Sequence, residues 1–279
     1  MAERRSLYFD VGGHEIHVSE WGEGDAPVLV MWHGLARTGR DFDVAARHFS
    51  SRYRVICPDT LGRGLSAWSN QPDQDYTYPA YTRQAKELMD QMGVEKCLWY
   101  GTSMGALLGM MVAAGPMAGR IQRLVMNDIG PKPNPVAIAR IRAYVTIRPE
   151  FAGLRELEAY LRQIYKPFGA LSDAEWRAMA ETSVRRRDDG RVTVHYDPEI
   201  MRVFAAQADN LHYWPIWDSV TCPTLVLRGE DSDILLPEVA EEMTRRGPNA
   251  RLVTVPGCGH APMLNIPSQI QVVEAFLEG

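Results

Sequence analysis

A serine hydroxyl is a weak nucleophile at neutral pH. It needs an imidazole to take its proton, and the imidazole needs a carboxylate to fix its tautomer. This sequence offers candidates for each part. Ser103 stands in Gly101-Thr102-Ser103-Met104-Gly105, a G-x-S-x-G run with an apolar stretch before it at 97–100 and small, apolar residues after it at 106–114. Strand into helix is the order that lifts a serine hydroxyl above a sheet, with a helix N-terminus beneath it. An ordinary strand-to-helix turn capped by Ser103 would use the same two glycines, so the motif acquires meaning only from its surroundings. His260 follows the last strand pattern, between Gly259 and Ala261, and an imidazole there is placed to act as a base. Carboxylates close two other strand patterns: Asp128 follows 121–126, while Asp231 and Asp233 follow the strand that ends near Arg228.

Those strand ends must share one edge for the chemistry to converge, and an open parallel sheet supplies that edge at the carboxyl ends of its strands. The pattern agrees. Residues 7–11 and 14–21 read as a hairpin about Gly12-Gly13, with His14 and His17 as strand-surface residues. The continuous apolar run at 28–32 reads as a strand buried on both faces, 97–100 as a buried strand, and 53–57, 121–126, 222–227 and 251–255 as further strands. Helical patterns separate them at 41–49, 76–92, 106–114 and 237–246, and a closing helix spans 268–277. From 131 to 214 the rhythm is helical: Leu154, Leu157, Leu161 and Ile164 share a face, and Ser172 with Glu175 reads as a capping box. The run Arg185-Arg186-Arg187 reads as a solvated turn. The expected organisation is a core of 1–130 and 215–279 with a helical cap, 131–214, inserted after the sixth strand.

The loop after the first buried strand, His33-Gly34-Leu35-Ala36-Arg37, must offer an oxyanion donor in such an arrangement. The backbone N–H groups of Leu35 and Met104 are the expected pair, with His33 orienting the loop. His33, Arg37, Trp214 and Trp217 are expected to meet the substrate, and Tyr144, Tyr165, Phe168 and Tyr213 are further candidates from the insert.

The composition excludes several other functions. The chain has 279 residues, a net charge of −5 and no basic stripe, which argues against a nucleic-acid partner. The turn from Pro58 to Ser66 lacks the Gly-Lys-Ser/Thr ending of a phosphate loop, so nucleotide binding is not expected. Cys57, Cys97, Cys222 and Cys258 are scattered, without metal-ligand spacing, and read as free thiols in a reducing compartment. The sequence shows neither a secretory leader pattern nor an apolar run long enough for a membrane span. A cytoplasmic protein without metal, cofactor or membrane partner is expected, as a monomer or homodimer.

Taken together, His33-Gly34, Asp59 with Gly62-Arg63-Gly64-Leu65-Ser66, the run 101–105, residues 127–131, Arg228-Gly229 with Ser232-Asp233, and Gly259-His260 resemble the α/β-hydrolase-fold serine esterases. The likeness is to the capped group of carboxylesterases, lactonases and meta-cleavage-product hydrolases. It implies an α/β fold with an eight-stranded, mostly parallel sheet flanked by helices. It also implies no cofactor and a small-molecule ester substrate cleaved through an acyl-enzyme. Serine at 103, in place of aspartate, departs from the epoxide hydrolases and haloalkane dehalogenases. The family's usual acid lies in the later loop, four residues before a proline, which here is Pro237. This ranks Asp233 first, Asp128 as the alternative and Asp231 third. The rival functions are a C–C bond hydrolase of vinylogous diketones, for which Arg37 or Arg63 would meet the acidic dienol, and a hydrolase-like ligand receptor with slow turnover.

Overall fold

The computed structural model describes residues 3–145, 149–207 and 211–279. Its strands in chain order are β1 (Arg5–Val11), β2 (His14–Trp21), β3 (Val28–Trp32), β4 (Arg54–Pro58), β5 (Cys97–Thr102) and β6 (Ile121–Asn127). Three short strands follow, β7 (Glu150–Phe151), β8 (Val184–Arg186) and β9 (Val192–Val194), and then β10 (Thr224–Gly229) and β11 (Arg251–Val255). Eight of them form one sheet in the order β1-β2-β4-β3-β5-β6-β10-β11. The pairings are parallel from β4 through β11, and β2 runs antiparallel to both β1 and β4. The fold class is therefore the expected α/β hydrolase architecture.

Helices on both faces explain why the inner strands can be apolar throughout. On one face the helices Tyr78–Gln91 and Met104–Ala114 pack over Val30, Trp32, Ile56 and Trp99. On the other, Asp43–Phe49 and Pro267–Glu278 cover Leu29, Met31, Tyr100 and Leu225. The β1–β2 hairpin closes through Gly12 and Gly13, at φ +60° and +81°, and pairs Val11 with His14 as a two-residue turn requires.

Between β6 and β10 the chain builds a separate layer with its own small core of Leu157, Leu161, Trp176, Met179, Val192 and Val194. Helices Pro135–Val145, Leu154–Ile164, Asp173–Ser183 and Glu199–Gln207 lie there, and Ser172 and Glu175 form the expected capping box. This segment is not purely helical, however. Strands β7, β9 and β8 form a three-stranded antiparallel sheet within it, and Arg185 and Arg186 belong to β8, not to a solvated turn. Strands of two or three residues are too short for alternation to register in the sequence. Arg185 lies 4.0 Å from the centre of the Trp68 ring, a cation–π contact that accounts for an arginine on this strand.

Three sequence expectations about individual residues change. His17 is not a surface residue: its imidazole is fully buried and bonded to Asp59. Trp214 and Trp217 do not meet the substrate cavity. They form a short helix, Trp214–Trp217, whose indoles join the core beneath Met104–Ala114. Trp217 is completely buried, its Nε1–H donating to the Arg246 carbonyl at 3.1 Å, and the Arg246 guanidinium lies 4.4 Å above the Trp214 ring. Large aromatic residues beside a helical insert fill either a pocket or a core, and their spacing does not distinguish the two. Trp217→Ala is accordingly expected to lower unfolding stability by about 3–5 kcal/mol in urea titrations, while relative rates across ester substrates stay the same.

Candidate functional site

Ser103 sits between β5 and the helix Met104–Ala114 at φ +51° and ψ −113°, a strained conformation for any residue with a side chain. Its backbone is pinned there: the N–H donates to the Asn127 carbonyl at 2.9 Å, and its own carbonyl accepts from Ala106 and Leu107. The two glycines of the motif are needed for space. A Cβ on Gly101 would lie 2.2 Å from the Gly105 carbonyl oxygen, and one on Gly105 would lie 2.1 Å from that of Trp32. The serine hydroxyl is thus held in place from both sides.

His260 approaches from the loop after β11, and its Nε2 lies 3.0 Å from the Ser103 Oγ. Its Nδ1 lies 2.8 Å from a carboxylate oxygen of Asp128. Asp128 is the first residue past β6, in the left-handed region at φ +57°, and its carboxylate is fully buried. It also accepts from the Gly229 N–H at 2.8 Å and the Ser232 hydroxyl at 2.6 Å. Four strand ends, β5, β6, β10 and β11, therefore meet at one carboxylate and one imidazole.

This corrects the ranking of the acids. Asp233 does not reach His260 with a hydrogen bond; its carboxylate turns outward to the Arg140 guanidinium, with Nη2 at 3.1 Å, which holds the carboxyl below the usual range. Asp231 is exposed. The physical reason is reach. The left-handed turn at Asp128 aims its side chain across the β10 end, whereas the chain has already climbed to the rim by Asp233. Ser232, one residue before Asp233, is the contribution of the later loop, and it serves the Asp128 carboxylate.

The loop after β3 is equally fixed. His33 is fully buried; its Nε2 accepts from the Thr60 N–H at 2.9 Å, so the ring proton lies on Nδ1, donated to the Gly34 carbonyl at 2.7 Å. Burial pushes its pKa down to about 4, so the imidazole stays neutral. It braces the loop and does not line the cavity. Arg63 is a second brace, fully buried, donating to the carbonyls of Leu35 and Leu61 and to the Tyr81 hydroxyl. It too lies outside the cavity. Leu35 and Met104 line the same cavity as Ser103, and their N–H groups donate to no protein acceptor among the described residues.

Above Ser103 opens a cavity of about 360 Å³. Leu35, Leu107 and Ile129 line it from the core, and Ile138, Ile164, Tyr165 and Phe168 from the insert. Of the other aromatic candidates, Tyr213 lies beneath it near Tyr78, and the Tyr144 side chain is outside the described residues. Arg37 does line the cavity. Burial opposes its charge, but the Asp41 carboxylate beside Nε and Nη2 holds the pKa up; Nη1 donates to Ser183 at 2.9 Å. The Arg140–Asp233 pair at the rim leaves no local pattern in the sequence, because its partners are 93 residues apart.

No described group of His, Cys, Asp and Glu side chains could hold a metal ion, and no described helix is long and apolar enough to cross a membrane. All four cysteines are free thiols, Cys57, Cys97 and Cys258 buried and Cys222 half-buried.

Comparison with known proteins bears on the fold and the family. A sequence model of the alpha/beta hydrolase family matches residues 29–273. A 3-hydroxybutyrate-oligomer hydrolase of Cupriavidus necator is 38% identical over 278 residues, which cover 96% of this chain and 94% of that protein. A 2-(acetamidomethylene)succinate hydrolase of Mesorhizobium japonicum is 26% identical, covering 90% of this chain and 87% of the other. The crystal structure of an alpha/beta hydrolase from Novosphingobium aromaticivorans superposes with a TM-score of 0.89 at 33% identity, covering 100% of this chain and 99% of that one. The chain belongs to the alpha/beta hydrolase family.

Proposed function

We propose that the protein hydrolyses carboxylic esters through an acyl-enzyme, with Ser103 as nucleophile, His260 as general base and then acid, and Asp128 as the orienting carboxylate. The observation that carries this reading is the hydrogen-bond chain from Ser103 Oγ through His260 to Asp128 on the floor of an apolar cavity. Ser103 attacks the ester carbonyl as His260 takes its proton at Nε2. The imidazolium is stabilised at Nδ1 by a carboxylate that also accepts from Gly229 and Ser232. The oxyanion moves towards the N–H groups of Leu35 and Met104, the second at the N-terminus of Met104–Ala114, where the helix dipole favours negative charge. Collapse expels the alcohol with the proton from His260. Water then takes the nucleophile's place and frees the acid.

The substrate class we infer is the short oligomer of a 3-hydroxy acid, a flexible chain of small ester units. The similarity to the Cupriavidus protein supports it, as do the aliphatic and aromatic walls of the cavity. The segment between β6 and β10 acts in this reading as a cap that selects the chain, since Ile138, Ile164, Tyr165 and Phe168 face the cavity. Among the described residues the arginines that line it are Arg37 and Arg140, each already bonded to a carboxylate, of Asp41 and Asp233. Among these residues an acidic dienol would meet no cation without displacing one of those partners, which weighs against the C–C hydrolase reading. The complete hydrogen-bond chain weighs against a receptor kept for binding alone.

Ser103→Ala is expected to fold and to lose about three decades or more of kcat on p-nitrophenyl butyrate. Near-normal turnover by that variant would end the assignment. The acids separate in the same assay: Asp128→Asn is expected to lose up to about 10⁴-fold in kcat, while Asp233→Asn stays within about threefold of the parent. Full activity in the first variant and loss in the second would return the role to the later loop. Substrate class is read by chromatography of 3-hydroxybutyrate dimer and trimer, with a ring-fission dienol as control. Phe168→Ala is expected to shift kcat/KM towards longer acyl chains by about tenfold relative to butyrate, without loss on the shortest ester. A uniform drop across all chain lengths would place Phe168 in the cap's packing instead.

A further inference from the structure

The chain contains a second hydroxyl–imidazole–carboxylate series, on different strands and away from the cavity. Ser6 Oγ on β1 lies 2.6 Å from His17 Nε2 on β2, and His17 Nδ1 lies 2.8 Å from an Asp59 oxygen at the end of β4. The imidazole and carboxylate are buried, while Ser6 is exposed.

The carboxylate is well fixed. Asp59 also accepts from the Gly39 N–H at 2.7 Å and the Leu65 N–H at 2.9 Å. Burial works against its charge, yet the hydrogen bonds from His17 and the backbone hold its carboxyl below the usual range. With Asp59 as acceptor at Nδ1, Nε2 is the ring nitrogen that faces the Ser6 hydroxyl, and in the neutral tautomer it carries the lone pair. Tyr8, with its ring centre 5.1 Å from that of His17, flanks the imidazole. A cation stands beside the hydroxyl: Ser19 faces Ser6 across the strand pair, and the Arg4 guanidinium donates to the Ser19 Oγ at 3.1 Å.

We propose that Ser6 is a covalent acyl-acceptor site for activated acyl esters, independent of Ser103. In the step, the Ser6 oxygen bonds to the acyl carbon and the bond from that carbon to the leaving alkoxide or phenolate breaks. The hydroxyl proton passes to His17 Nε2 and from there to solvent or to the leaving group. Arg4 offsets the transient negative charge on the carbonyl oxygen. The site needs no cavity, so it takes small, activated donors and has little selectivity for the acyl chain.

The test uses the full chain carrying Ser103→Ala, so that the cavity nucleophile does not obscure the reading. The protein is incubated with p-nitrophenyl acetate and digested, and acetylation of each serine is followed by peptide mass spectrometry. Ser51 and Ser219, exposed serines without an imidazole partner, serve as internal references. A general base is worth about 10²–10⁴ in rate, so Ser6 is expected to acetylate about a hundredfold faster than either reference. A second variant, Ser103→Ala with Ser6→Ala, is expected to lose that product and its share of p-nitrophenolate release. Acetylation of Ser6 at a rate within about tenfold of Ser51 and Ser219 overturns the proposal and leaves the serine as a cap on a structural histidine. Neither outcome depends on whether Ser103 acts on esters, because Ser103 is absent from the experiment.

Discussion

The approach of one helix to two strands is the constraint on which the site rests. Met104–Ala114 begins so close to the sheet that the Gly105 backbone touches the Trp32 carbonyl, and the Gly101 backbone touches that of Gly105. Lacking Cβ atoms, these residues let the turn between β5 and the helix close sharply enough to hold Ser103 at φ +51°. The strain at Ser103 is supported by packing on every side: Trp99 donates from Nε1 to the Gly105 carbonyl at 3.1 Å and stacks on Trp32 with ring centres 5.1 Å apart. The serine's position thus follows from the packing of the sheet core.

Buried carboxylates organise the rest of the edge. Asp128 gathers β6, β10 and the histidine loop by accepting from Gly229, Ser232 and His260. Asp59 does the same on the other side of Ser103, accepting from Gly39, Leu65 and His17. Each offsets its desolvation with several donors, the condition under which a buried charge is tolerable. Arg63 is the cationic counterpart: among the described residues it has no carboxylate partner and is satisfied by two carbonyls, the Tyr81 hydroxyl and the faces of Tyr76 and Tyr81. By gripping the Leu35 carbonyl it holds the loop residue whose own N–H is one of the two proposed oxyanion donors.

The sheet was legible because its strands are short, apolar-rich runs separated by turns and amphipathic or apolar helices. Ser103 and His260 were legible from their places at strand ends. The choice between Asp128 and Asp233 was not, since both end strands on the same edge and only the left-handed backbone at Asp128 decides which side chain points inward. The fates of Trp214 and Trp217 were hidden for a related reason: burial in a core and exposure to a cavity demand the same residue type. His17 read as a surface residue because its partner, Asp59, lies 42 residues away. The short strands β7 to β9 left no periodic signal at all.

The hydrogen bonds that join Ser103, His260 and Asp128 bear on the order in which the site assembles. Ser103 and His260 are 157 residues apart in sequence, and His260 and Asp128 are 132 apart. Contacts of such range are slow to form, because the intervening chain must surrender its freedom before they contribute. Here they cross the insert and also require β10 and β11 to be seated, since Gly229 and the loop after β11 hold the carboxylate and imidazole. A chain emerging from synthesis can complete the Ser103 turn long before it has an imidazole to pair with. In the proposed mechanism the hydroxyl therefore has no base through most of folding, and gains one only as the last strands of the sheet dock.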